Sequence, residues 1–361
     1  MKVNKRHQVS PYFAFFLIYN SQVGVGILSF QRTIAEKAGY DAWISVIIAG
    51  CLVQIFLWIM YKLLIKQDGD IIDIHTSTFG NTLGKFLSAG IIFYYWMASL
   101  SVLTEYIEII HVWMFPTLPS WVISSLLLLL VYYCVSGGFR AVVGLSFLSF
   151  VFPQVLITFL YIFPLKTAHF SNLLPIMNHS LTEMADSLKS SMYTMAGTEA
   201  LLMYYPFIRN PEASRKYAHL GVLFTTVLYT ISAVVSFTFY SENQLKTTLW
   251  PELSLIKITK LSYLERFEYL YISMYAIIVT SLIALFLWCS ARGFKKLFHI
   301  KQPYILLFLL VASGGITQFI TEDLKNLLDN FIIYMNLYIF YLYIPILLLL
   351  FTFLKRGKKH G

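Results

Sequence analysis

The stretch Gln22-Val23-Gly24-Val25-Gly26-Ile27-Leu28 lies inside an apolar run long enough to cross a bilayer. Two glycines one residue apart are poor helix formers, each costing about 1 kcal/mol relative to alanine. They also let backbone come close to a ligand or to another helix. A helix interrupted here leaves free N–H groups on one half and free C=O groups on the other. Lipid cannot satisfy those groups, so such a break stands only against protein or a polar cavity. The plainer reading makes Gly24 and Gly26 small residues for close helix contact. The stretch alone does not separate the two.

Composition sets the surroundings. The chain has 361 residues, of which 58% are hydrophobic and 12% charged, with a mean hydropathy of +0.69. Soluble domains carry about 25% charged residues, so this is an integral, multi-pass membrane protein with the lipid bilayer as its main partner. The net charge of +9 is the surplus of Lys and Arg expected on cytoplasmic loops, and no nucleic-acid partner is expected. Cys51, Cys134 and Cys289 fall in apolar runs and offer neither a disulfide framework nor metal spacing. Lys2, Lys5 and Arg6 before an apolar run imitate a signal peptide. The run is too long for one, and reads as an uncleaved first helix.

Hydropathy predicts ten membrane helices, at roughly 10–33, 42–65, 83–113, 120–137, 143–164, 187–208, 215–240, 266–292, 302–321 and 331–354. Eighteen of the 27 Lys and Arg fall on one set of connections and tails, which predicts both termini in the cytoplasm. The outer connection at roughly 241–265 contains Leu249-Trp250-Pro251-Glu252. It is expected on the membrane interface or covering the bundle.

Helix 6 repeats the signal of helix 1. Its segment Tyr193-Thr194-Met195-Ala196-Gly197-Thr198-Glu199-Ala200 puts small and polar residues near mid-membrane. Helix 6 also opens the second set of five, and an odd number per set puts the two sets in opposite orientations. The expectation is therefore a single all-α membrane domain over 1–361, with repeats at approximately 10–164 and 187–354 and with helices 1 and 6 broken. Paired breaks in inverted halves are the best sequence pointer to a transporter-type site.

A substrate carboxylate suits the helix start near Gly26, where the dipole is positive. A substrate ammonium suits the free carbonyls near Val23 and Ala196. Together they fit a zwitterionic amino acid. The expected substrate-binding residues are Val23, Gly24, Val25, Gly26 and Ile27 of helix 1, Tyr193, Ala196, Gly197, Thr198 and Glu199 of helix 6, Tyr94 of helix 3 and Tyr275 of helix 8. Glu199 has two readings: counter-charge or proton carrier, or a carboxylate capping the broken backbone. Glu105 and Glu108 share a face of helix 3 and are expected to bond a neighbouring helix or loop. No P-loop, zinc spacing or nucleophile elbow is present. No enzyme activity, cofactor or metal is expected, and the coupling ion stays open.

The arrangement resembles the amino acid–polyamine–organocation transporter superfamily. Within it, the chain resembles the spore germinant-receptor B-subunit family. The residues that carry this are Gly24-Val25-Gly26-Ile27-Leu28-Ser29-Phe30-Gln31-Arg32, Gly197-Thr198-Glu199-Ala200, Thr248-Leu249-Trp250-Pro251-Glu252-Leu253-Ser254, Leu264-Glu265-Arg266-Phe267-Glu268 and Gly293-Phe294-Lys295-Lys296. The helix 1 motif usually ends in Pro-Arg, and here Gln31 stands in the proline position. The resemblance implies a nutrient sensor in the spore inner membrane. It would bind an amino acid or other small nutrient, work with an A subunit and a lipoprotein C subunit, and trigger ion release. An amino-acid permease or symporter would use the same cavity and is the alternative.

Overall fold

The computed structural model describes residues 3–258 and 266–357, so Leu264 and Glu265 of the last-but-one motif lie outside the described residues. The described residues are almost wholly helical, and no strand occurs among them. The first broken helix consists of α1 (Phe13–Gln22), a 3₁₀ turn (Val25–Leu28) and α2 (Phe30–Ala38). Gly39 ends α2 at φ 48°, where a residue without Cβ terminates a helix without strain. Then come α3 (Ala42–Gln67), α4 (Ile71–Trp113), α5 (Ser120–Ser136) and α6 (Phe139–Ile162).

The second broken helix consists of α7 (Leu181–Thr194), a 3₁₀ turn (Thr198–Ala200) and the single turn α8 (Leu201–Tyr204). The chain continues through α9 (Arg215–Phe239), α10 (Glu242–Thr247) and α11 (Pro251–Ile258). It ends with α12 (Phe267–Phe298), α13 (Gln302–Phe319), α14 (Glu322–Tyr334), a π-helical stretch (Met335–Tyr343) and α15 (Ile344–Gly357).

Among the described residues, six segments are long and apolar enough to span a membrane unaided: Phe30–Gln67, Ile71–Trp113, Pro211–Phe239, Phe267–Phe298, Gln302–Phe319 and Glu322–Phe353. Ser120–Ser136 and Phe139–Gln154 are shorter apolar helices. α1 and α7 fall short because each is one half of an interrupted helix.

Three helix starts differ from expectation. Helix 3 begins at Ile71 rather than near 83, on a capping box between Asp70 and Asp73, and bends at Gly80, whose φ is 79°. Helix 6 begins at Leu181 rather than near 187, on a capping box between Ser180 and Glu183. Helix 10 begins at Glu322 rather than near 331. In each case a polar first turn lowers hydropathy although its caps favour helix.

The bundle has two ends. At the tail end, Val9 pairs with the 207–209 segment: its N–H donates to the Phe207 carbonyl at 2.9 Å, and its carbonyl accepts from Arg209 at 2.7 Å. There too the Lys296 ammonium bonds both Asp70 carboxylate oxygens at 2.7 Å. At the loop end, Asp41 accepts from the N–H groups of Met177 (2.8 Å) and Asn178 (3.0 Å). The 241–258 connection covers the loop end of the bundle. Glu252 of α11 is buried and accepts from Gln31 Nε2 at 2.9 Å and from Ser232 Oγ at 2.8 Å.

Candidate functional site

α1 stops because Gly24 is extended, at φ −115° and ψ −161°. Its carbonyl is taken by the Tyr275 hydroxyl of α12 at 2.5 Å. The second broken helix stops because Gly197 adopts φ +118°, a region L-residues avoid. It lies so close to α1 that a Cβ there would sit 1.9 Å from the Ser21 carbonyl oxygen. The two breaks therefore meet in the centre of the bundle.

Glu199 is buried, and both of its carboxylate oxygens are engaged. One accepts the Gly197 N–H at 2.8 Å; the other accepts the Tyr94 hydroxyl at 2.5 Å. The next tyrosine, Tyr95, donates to the Glu199 backbone carbonyl at 2.9 Å. The carboxylate thus caps the interrupted backbone and is anchored to α4.

A cavity of about 340 Å³ opens beside the breaks. Of the residues expected from sequence, Gly24, Val25, Gly26, Tyr94, Tyr193, Ala196, Gly197 and Glu199 line it. Val23, Ile27, Thr198 and Tyr275 are buried and are not part of the lining. Tyr275 supports the break through Gly24 instead of facing the space. The other side of the cavity carries Phe286 and Leu282 of α12 and Lys325, Asp329 and Ile332 of α14. Sequence reasoning assigned no site residue to α14. Its periodic charges at Glu322, Lys325 and Asp329 were the available signal of an amphipathic inward face.

Glu105, expected in a structural role, lines the cavity, whereas Glu108 does take the structural role by pairing with Lys325. Asp329 accepts the Ser101 hydroxyl at 2.8 Å. Ser29, Thr33, Glu105 and Lys325 also line a second hollow of about 280 Å³ with Arg32, Glu36 and Trp250. These shared residues form a wall common to the cavity and the hollow at the loop end. Among the described residues no cluster of His, Cys, Asp or Glu could hold a metal ion.

A helical membrane bundle with two facing interrupted helices beside a cavity defines the class: a transporter-like fold. Two solved structures share it. A substrate-bound, outward-open Na⁺-coupled sialic acid symporter superposes with TM-score 0.69 at 11% identity, covering 92% of this chain and 77% of that one. MhsT in complex with L-phenylalanine gives TM-score 0.68 at 12% identity, covering 95% and 89%.

Sequence comparison narrows the class. The family described as "Spore germination protein" matches residues 8–326. Spore germination protein GerQB of Bacillus cereus is 40% identical over 347 residues, 96% of each chain. Spore germination protein B2 of Bacillus subtilis (strain 168) is 23% identical, over 90% of this chain and 89% of its own length. The chain belongs to the spore germination protein family, as a relative of germinant-receptor B subunits. Neither these relatives nor the structural neighbours are enzymes by description.

Proposed function

We propose that this protein is the nutrient-sensing subunit of a spore germinant receptor, with its ligand bound between the two breaks. The observation that carries the reading is the cavity itself, which is lined by both broken helices and lies next to a loop-end vestibule. Its size suits a small nutrient, and helix ends offer amides for an anionic group and carbonyls for a cationic one. An amino acid supplies both groups. One structural neighbour is described with bound L-phenylalanine and the other as a substrate-bound sialic acid symporter, so the amino-acid choice rests on the paired helix ends.

In this reading the halves at approximately 10–164 and 187–354 are inverted repeats. The Lys and Arg surplus supports cytoplasmic termini, and with the protein in the spore inner membrane, as the family suggests, the vestibule faces outward. Ligand binding favours one arrangement of the bundle by its differential affinity for it. An A subunit and a lipoprotein C subunit convert that shift into ion release. A permease or symporter is the second reading, favoured by the fold shared with two transporters.

The test is a thermal-shift panel on the purified protein with amino acids, nucleosides and sugars, followed by radiolabel uptake into proteoliposomes. Stabilisation by a nutrient without uptake supports the sensor. Concentrative uptake supports the permease. Stabilisation by none of the panel overturns the nutrient site.

A further inference from the structure

α1 ends at Gln22, a buried residue that follows the polar pair Asn20 and Ser21. A primary amide is one of the few side chains that can donate and accept in opposite directions at once. Gln22 does both. Its Nε2 donates to the Met195 carbonyl at the end of α7, at 2.9 Å. Its Oε1 accepts the Thr225 hydroxyl of α9 at 2.7 Å. Its backbone carbonyl accepts the Tyr229 hydroxyl at 2.8 Å, and the same hydroxyl reaches the Thr194 carbonyl at 3.3 Å. Thr225 and Tyr229 are four residues apart, so they stand one above the other on a single face of α9.

This bonding fixes which backbone acceptors remain at the breaks. The carbonyl of Met195 is engaged by Gln22, that of Gly24 by Tyr275 and that of Gln22 by Tyr229, whose single proton is at most shared with the Thr194 carbonyl. The carbonyls of Val23 and Ala196 accept none of these bonds. An unsatisfied Met195 carbonyl would be costly in a buried site.

We propose that Gln22 is a positioning residue of the site. It staples the end of α1 to the end of α7 across α9 and satisfies the buried Met195 carbonyl. That holds the backbone at Ala196, whose residue lines the cavity, in place for a ligand ammonium, with Val23 behind the lining. The inference rests on the nutrient-site reading above, but the staple itself can be measured without a ligand.

The experiment uses the full chain in lipid nanodiscs and two variants, with amide hydrogen exchange read as protection relative to the unsubstituted protein at the same pH. Gln22→Leu removes donor and acceptor, and protection over 194–198 should fall about tenfold or more, with α12 unchanged. Gln22→Glu keeps the shape but presents two acceptors to the Met195 carbonyl when ionised. Once protonated, it regains a donor. This variant should return to within about twofold of the unsubstituted protein at about pH 5, where its carboxyl carries the proton, and fall toward Gln22→Leu wherever it ionises.

The other ionisable groups on the wall, Tyr94, Glu105, Tyr193, Glu199, Lys325 and Asp329, are the same in all three proteins. Their titration is read from the unsubstituted protein and Gln22→Leu at about pH 8 and about pH 5. Full protection in Gln22→Leu, or a Gln22→Glu as unprotected as Gln22→Leu at about pH 5, overturns the staple.

The ligand half is read by thermal shift with the twenty common L-amino acids, tested singly. Gln22→Glu should lose their stabilisation wherever it ionises and recover it at about pH 5. Recovery of protection without recovery of binding overturns the link to the ligand and leaves only the staple. If no amino acid stabilises the unsubstituted protein, the amino-acid reading fails instead, and the exchange data still decide the role of Gln22.

Discussion

The two breaks do the same job by different means. The one at Gly197 is determined locally. Its backbone requires φ +118°, and the group that satisfies its N–H, Glu199, lies two residues on. The one at Gly24 is determined from outside. Its backbone is extended without a positive φ, and the groups that hold it come from α9 and α12, through Tyr229 and Tyr275. A break that carries its own cap depends on glycine absolutely. A break held by neighbours depends on those neighbours and tolerates side chains that leave room for them.

The largest effect should come from Gly197→Ala. The methyl group would meet the Ser21 carbonyl at 1.9 Å in a conformation L-residues avoid. The expected cost is about 3 kcal/mol or more, seen as loss of folded protein in the membrane. Normal abundance and melting temperature would show that the two breaks do not differ in this way.

Next comes Glu199. Replacement by Ala strands the Gly197 N–H and the Tyr94 hydroxyl, costing about 1–3 kcal/mol. Glu199→Gln keeps one acceptor oxygen and should recover most of that loss in melting temperature. If Gln is as damaging as Ala while abundance holds, the negative charge acts on the ligand and not only as a cap.

Tyr275→Phe removes the hydroxyl from the Gly24 carbonyl and nothing else. A loss of about 1 kcal/mol is expected, with exchange at 23–26 rising more than at 195–198. Equal rises at both breaks would mean they open as one unit.

The smallest effects belong to the first-break glycines. Gly26→Ala meets only Thr194 Cγ2 at 3.7 Å, ordinary contact, and should change stability by less than about 0.5 kcal/mol. Gly24→Ala brings Leu282 Cδ2 to 2.7 Å, so a flexible side chain must shift and the cost is somewhat larger. A Gly26→Ala protein that folds but loses its nutrient response would assign that glycine to the ligand rather than to the backbone.

The broken helices are legible in the sequence because glycine weakens a helix at a depth where lipid cannot repair it. Glu199 is legible because an acid at that depth is expensive. Gln22 is not, since a neutral amide carries no charge to flag it and its partners, Thr225 and Met195, are far away in sequence. Most of α14 reads as connection because Glu322, Asp323, Lys325 and Asp329 depress hydropathy. Hydropathy assumes that charge faces water outside the bundle. Here Lys325 and Asp329 face an internal cavity, so the same charges mark the site. Tyr275 stands out as a polar group on an apolar helix, but a sequence cannot say whether a tyrosine faces the ligand or the backbone behind it.

The buried bond of Glu252 has a consequence for how the protein is made. α11 follows both α2 and α9 in the chain, and its carboxylate accepts from Gln31 and Ser232, one from each. Both partners are in place only once α2 and α9 stand side by side, so α11 docks after them. Docking of the loop is a late checkpoint of assembly. Glu252→Gln, which needs no desolvation of a charge, should pass that checkpoint sooner in a pulse-chase of protease resistance.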